Sequence, residues 1–175
     1  MQETEQFSKF KYKGIRDIIA SFLRRCKIPY PIVPFDREFY DRCCDEAIRL
    51  KIPMDGPLSL KPHMRGGIAM ARTAYRHLPD IDAQVYVALY TAFLIYTDDV
   101  FHTNVDAVLH FNDRFVRGEP QADAAMDSFA ELLLQIPKRY GRVVANMMIT
   151  STLNLVTALL LENETQGMPV SDLFL

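Results

Sequence analysis

An all-α fold is predicted by three features of this 175-residue chain. Apolar residues recur at helical spacing, with no internal repeat and no sustained alternation. Proline and glycine gather at intervals (Pro29 and Pro31, Pro53 and Gly56, Gly118 and Pro120) and mark breaks between helices. One run, residues 84–97, is apolar nearly all round, the pattern of a helix enclosed by others. With 49% hydrophobic and 24% charged residues, the chain can bury a sizeable core, and a single domain over residues 1–175 is expected.

The elements follow in order. A first helix is expected over residues 10–26, ending before Pro29 and Pro31 because the residue preceding a proline avoids helical geometry. Asp36 is the expected N-cap of a second, residues 37–50, closed by Pro53 and Gly56. A third begins at Leu58 or Pro62 and runs to His77; Gly66 and Gly67 inside it cost about 1 kcal/mol each relative to alanine, which points to a kink or a close helix contact. Pro79 and Asp82 introduce the central helix, residues 85–101. Asn104 can cap residues 105–117, Gly118 and Pro120 interrupt, and residues 122–135 resume the period. A long helix starts at Pro137 or Lys138 and reaches Glu162. Residues 163–169 form a turn, and Ser171 caps a helix of which the last four residues are the beginning, so the natural protein is expected to continue past Leu175.

Composition excludes several function classes. A net charge of −2 with scattered Lys and Arg gives no footprint for nucleic acid. Cys26, Cys43 and Cys44 form no Cys-x-x-Cys, so neither a zinc site nor a disulfide framework is expected, and the thiols read as reduced. The polar first 13 residues are unlike a secretory signal, and the apolar run before Asp98 falls short of the roughly 20 residues of a membrane span. A cytoplasmic protein without a membrane span is expected.

The chemistry gathers at Asp98 and Asp99, which end the central apolar run. A helix C-terminus carries roughly half a negative charge and disfavours each nearby carboxylate by about 0.3–1 kcal/mol, so the pair is either solvated, paired with arginine, or neutralised by a divalent cation. On a 3.6-residue period Asp98 shares a face with Val87, Thr91, Leu94 and Ile95, which places a carboxylate at the mouth of an apolar wall. Mg²⁺ takes one or two protein carboxylates and completes its octahedron with water and phosphate oxygens, so the implied ligand has a phosphate head and a hydrocarbon body. Tyr86, Tyr90, Phe93 and Tyr96 add aromatic density, mostly as core; rings facing the pocket, with Phe93 the candidate, would stabilise a cation by roughly 0.5–2 kcal/mol. His102 and His110 lack metal-hydrolase spacing and read as solvated or hydrogen-bonded.

Residues 90–99 (Tyr-Thr-Ala-Phe-Leu-Ile-Tyr-Thr-Asp-Asp), residues 111–118 (Phe-Asn-Asp-Arg-Phe-Val-Arg-Gly), and the passage from Lys138-Arg-Tyr-Gly141 into residues 149–153 together resemble the trichodiene synthase family of fungal class I sesquiterpene cyclases. The resemblance spans residues 15–162, the N-terminal portion of such an enzyme. It implies a class I terpenoid synthase helical bundle, incomplete at the C-terminus, acting as a carbon–oxygen lyase of secondary metabolism. Asp98 and Asp99 would be catalytic metal ligands, Asp98 the main one, helping to hold three Mg²⁺ and the diphosphate of farnesyl diphosphate. Val87, Thr91, Phe93, Leu94 and Ile95 would line the pocket that folds the allylic cation, closed against water.

The chain departs from that family's pattern at three places. The next acid after Asp99 is Asp106; Thr150 stands where a diphosphate-sensing arginine is expected, with Arg139 or Arg142 as substitutes; and no second metal motif follows Glu162. The exposed face of such a partial bundle predicts association, as a homodimer or aggregate, or catalytic inertness. The alternative is a non-catalytic helical interaction or prenyl-diphosphate-binding protein of the same fold.

Overall fold

The computed structural model describes residues 14–15, 17–28 and 34–166. It falls into two compact units, Met1–Phe35 and Asp36–Leu175. In the first, residues 17–25 form a helix, α1, that closes with Lys27 in the left-handed region (φ 56°) and the Ile28 amide bonded to the Leu23 carbonyl at 2.9 Å. The expected turn beyond Gln166, the Ser171 cap and the start of the first helix lie outside the described residues.

The second unit is helical throughout its regular structure, with no strand among the described residues. Helix α2, Arg37–Arg49, starts as expected at Asp36, whose carboxylate accepts from the Phe39 amide at 3.0 Å. It stops earlier than Pro53 would require: Lys51 turns left-handed (φ 58°), and the Ile52 amide reaches back to the Ala47 carbonyl. A 3-10 turn, Lys61–His63, with Pro62 in its first positions, runs into α3, Met64–Thr73. Gly67 explains how α3 can lie against its neighbour: a Cβ there would fall on the carbonyl oxygen of Ala88 and within 2.9 Å of the Ala92 nitrogen. The expected close helix contact is therefore at Gly67, and it is a contact of backbones.

That neighbour is α4, Ile81–Thr103, capped by Asp80 rather than Asp82, with the Asp80 carboxylate accepting from the Asp82 amide. The helix buries Ala88, Leu89, Ala92, Phe93 and Tyr96 and touches α2, α3, α5 and α7, so it is central to the unit as its composition predicts. The segment expected as one helix after Asn104 is two: α5, Val105–Leu109, and α6, Phe111–Arg117, the second closed by Gly118 in the left-handed region (φ 67°).

Two helices follow as expected, but the break between them lies at Gly141 (φ 75°, ψ 172°) rather than at Pro137; they are the two limbs of α7, Ala124–Thr165, with Pro137 inside the first. Asp123 caps it, accepting from the amides of Ala125 and Met126 at 2.8 Å. The first limb runs antiparallel to α4: Tyr96 approaches Asp123, Phe93 stacks on Phe129 at 5.1 Å, and Tyr86 donates to the Leu132 carbonyl at 2.9 Å. Tyr140 reaches Ala83 and Tyr86, but Thr152, beyond the bend, meets the Tyr90 hydroxyl at 2.8 Å. Contact thus moves back toward the Asp98 end, and one helix supplies α4 with two walls. Asn112 of α6 anchors the second limb by donating to the Leu153 carbonyl and to Thr157.

Stacked Phe93, Phe129 and Phe111, with Leu89, Met126 and Leu133, form the core between α4, α6 and the first limb of α7. The second limb is less covered: Val143, Val144, Met147 and Leu161 are exposed. By length and composition α7 is apolar enough to cross a membrane, its most apolar window having a mean hydropathy of 1.7 with 22% of residues buried. The expectation of no span considered only the run before Asp98. The second limb interleaves exposed Asn146, Thr150, Ser151 and Asn154 with its apolar residues.

Candidate functional site

Both aspartates lie inside α4, since the helix continues to Thr103 and ends at Asn104. The expected helix, residues 85–101, already included them; the observed one leaves a further turn between them and its end. The dipole's effect decays within the last turn, so their cost is smaller than a terminal position would impose.

The two carboxylates have different surroundings. Asp98 is exposed and has no ion pair or hydrogen-bond partner among the described residues. Asp99, with its side chain 62% exposed, accepts from His63 Nε2 at 3.0 Å. His63 comes from the 3-10 turn, its side chain only 14% exposed and its ring edge-on to Tyr96 at 5.4 Å. The phenol of Tyr96 is itself pushed up to about 12, by burial first and by the carboxylate of Asp123 second, and stays a neutral donor toward Asp123. The sequence analysis missed His63. The signal available was Gly67: packing it antiparallel on Ala88 and Ala92 sets the residue one turn earlier beside the last turns of α4.

The wall beneath Asp98 is divided. Val87, Thr91 and Leu94 are half-buried and form a stripe that leads up to Asp98. Ile95 is half-buried too, turned toward α3, where its Cδ1 would stand 2.5 Å from a Cβ placed on Gly66. Phe93 is fully buried and stacked on Phe129, on the core side of the helix rather than on that stripe. Tyr86 and Tyr90 are largely spent on Leu132 and Thr152, and burial raises both phenols. Aromatic density in α4 is therefore chiefly core, as the sequence suggests.

Among the described residues no three His, Cys, Asp or Glu side chains converge as a metal cage. Mg²⁺ does not need one: an exposed, unpaired carboxylate with a second beside it is the donor set that a water- and phosphate-completed octahedron uses. Asp98 and Asp99 fit that requirement. Asp106, His102 and His110 are exposed and join no such group.

Neither arginine expected near the diphosphate is shown beside Asp98: Arg142 is exposed on α7 just past the bend at Gly141. Thr150 is exposed on the second limb, close in sequence to Thr152 at the level of Tyr90, about 12 Å along the axis from Asp98. Arg139 sits near the opposite end of α4, over the Tyr86 ring at 5.4 Å and 3.7 Å from Glu46. There it borders a cavity of about 420 Å³ lined by Arg42, Asp45, Glu46, Arg49, Asp82 and Val85. This cleft, some ~24 Å from Asp98 along α4, is held by cross-paired charge: Arg49 to Glu46 at 2.6 Å and Arg42 to Asp82 at 3.0 Å. Arg49 above all holds the Glu46 carboxyl below its ordinary range.

No protein-family model matches the chain. It is similar to alpha-cuprenene synthase COP6 of Coprinopsis cinerea, 32% identical over 159 residues, which covers 90% of this chain and 49% of that protein. Monoterpene synthase 25 of Postia placenta is 28% identical over 86% of the chain and 44% of its own length. Longiborneol synthase CLM1 of Gibberella zeae is 31% identical over 71% of the chain and 38% of its own length. The homologues of the chain are fungal terpene synthases, and it spans 38–49% of the length of these curated relatives.

Proposed function

We propose that the chain is the N-terminal portion of a Mg²⁺-dependent sesquiterpene cyclase that ionises farnesyl diphosphate, releases pyrophosphate and cyclises the carbocation. The observation that carries this reading is an unpaired Asp98 above the half-open stripe of Val87, Thr91 and Leu94, in a chain whose homologues are terpene synthases. Asp98 is the principal metal ligand and Asp99 the second. When bound, the metal supplies charge and Lewis-acid stabilisation to the departing diphosphate. The side chains do the rest: Asp98 fixes where the diphosphate head docks, and the apolar stripe receives the hydrocarbon tail and keeps water from its reactive end.

The rest of the pocket comes from residues beyond these 175, so the isolated chain is inert. Its exposed Val143, Met147 and Leu161 suit the interior of a larger bundle better than the surface of a finished one, and favour self-association when left open. A second reading, a non-catalytic prenyl-diphosphate binder, draws on one observation: the neutral, exposed Thr150 where the resemblance expects an arginine.

Incubation with farnesyl diphosphate and Mg²⁺, followed by gas chromatography, separates these readings. The 175-residue chain is expected to yield no cyclic product. A version extended to the relatives' length yields one, and Asp98→Asn lowers it by about 10²-fold or more. Unchanged yield in Asp98→Asn rejects the ligand role, and product from the isolated chain rejects the need for a second half.

A further inference from the structure

Asp99 differs from Asp98 in being held. The holder is a side chain built into the fold rather than one that happens to lie nearby. An ionised carboxylate only accepts, so His63 Nε2 carries the proton in the 3.0 Å bond to Asp99 Oδ2. The other ring nitrogen, Nδ1, is buried and has no hydrogen-bond partner among the described residues. A proton there would be buried without an acceptor among the described residues, so the geometry favours the tautomer that carries its proton on Nε2. Three constraints fix the ring itself: Pro62 stiffens the turn, Tyr96 meets it edge-on at 5.4 Å, and the backbone contact of Gly67 with Ala88 and Ala92 sets the height of the turn on α4.

We propose that His63 is a positioning residue for the aspartate pair: through Nε2–H it fixes the Asp99 carboxylate, leaving Asp98 as the carboxylate free to meet an incoming divalent cation. The consequence for metal rests on the cyclase reading above; the holding of Asp99 does not. Without the bond, Asp99 is a mobile carboxylate beside Asp98, and the second ligand must be ordered each time a cation binds. Partners that orient metal ligands from behind in this way are typically worth 10–100-fold in metal affinity.

The test uses the 175-residue chain. Mg²⁺ is titrated in the presence of inorganic pyrophosphate by calorimetry, and the His63 ring nitrogens are observed by ¹⁵N NMR. Wild type is expected to show the Nε2–H tautomer, and Asp99→Asn to shift the Nε2 resonance. His63→Leu is expected to weaken Mg²⁺ binding about tenfold, with His63→Gln, whose amide can donate to Asp99, recovering most of the loss. A thermal melt of each variant separates loss of fold from loss of orientation, because the Leu and Gln variants remove the same ring but only one keeps a donor. An Nδ1–H tautomer, or equal Mg²⁺ affinity in wild type and His63→Leu while Asp98→Asn abolishes binding, overturns the proposal. If a version extended to the relatives' length shows the Nε2–H signature but binds no Mg²⁺, the holding of Asp99 stands and the metal reading is refuted instead.

Discussion

Gly67→Ala is the substitution that most directly tests how α3 is set on α4. An added Cβ would clash with the Ala88 carbonyl oxygen and stand 2.9 Å from the Ala92 nitrogen, both backbone atoms of a buried helix that cannot rotate away. Relief requires α3 to lift off α4, at the upper end of the cost of overpacking, about 3 kcal/mol. Alanine returns about 1 kcal/mol of helix propensity, which leaves a net loss of about 2 kcal/mol. Gly66→Ala is the internal control. Its Cβ would meet only the Cδ1 of Ile95, at 2.5 Å, the far end of a flexible side chain. A rotamer adjustment there costs about 0.5–1.5 kcal/mol and the same propensity gain offsets it, so the variant should lie within roughly 0.5 kcal/mol of wild type. Urea unfolding followed by far-UV circular dichroism measures both. If Gly67→Ala is as stable as wild type, or no less stable than Gly66→Ala, the helices are not in backbone contact and the placement of His63 beside Asp99 loses its support.

Two further outcomes are expected. Glu46→Gln should destabilise the chain at neutral pH, and the difference should shrink under acid. A carboxyl held below its ordinary value of 4.5 by Arg49 contributes stability above that value and loses it as pH falls through the lowered folded value. Urea midpoints of both proteins at neutral pH and well below 4.5 check the sign, and a gap that widens under acid refutes it. Tyr86→Phe removes the buried hydrogen bond to the Leu132 carbonyl and should cost about 1 kcal/mol by the same assay.

Much of this fold was legible because its signals are local. Asp36 announces α2 by the chemistry of its own side chain, Gly118 closes α6 by its own backbone freedom, and the composition of α4 declares that it is enclosed. What escaped depends on partners distant in sequence. Pro137 reads as a stop, since it lacks an N–H and crowds the preceding turn, yet α7 carries it and bends at Gly141 instead, where a left-handed residue without a Cβ is needed. At the site, the stripe of Val87, Thr91 and Leu94 follows from helical period alone, whereas the removal of Phe93 to the core follows from Phe129, which no period reveals. The aspartate pair was visible, but the tether on Asp99 that distinguishes the two was not, because His63 and Asp99 are 36 residues apart.

The bend at Gly141 also sets which part of the molecule can open by itself. The first limb of α7 shares the aromatic core and would be released only with global unfolding. The second limb is joined by the hydroxyl contact of Tyr90 with Thr152, the two bonds from Asn112 and a few buried apolar residues such as Val156 and Leu159, and the break in helical geometry at Gly141 keeps the fraying of one limb from propagating into the other. Amide protons beyond residue 141 are expected to exchange as a separate, weaker cooperative unit, with the second limb opening while α4 and its aspartates remain folded.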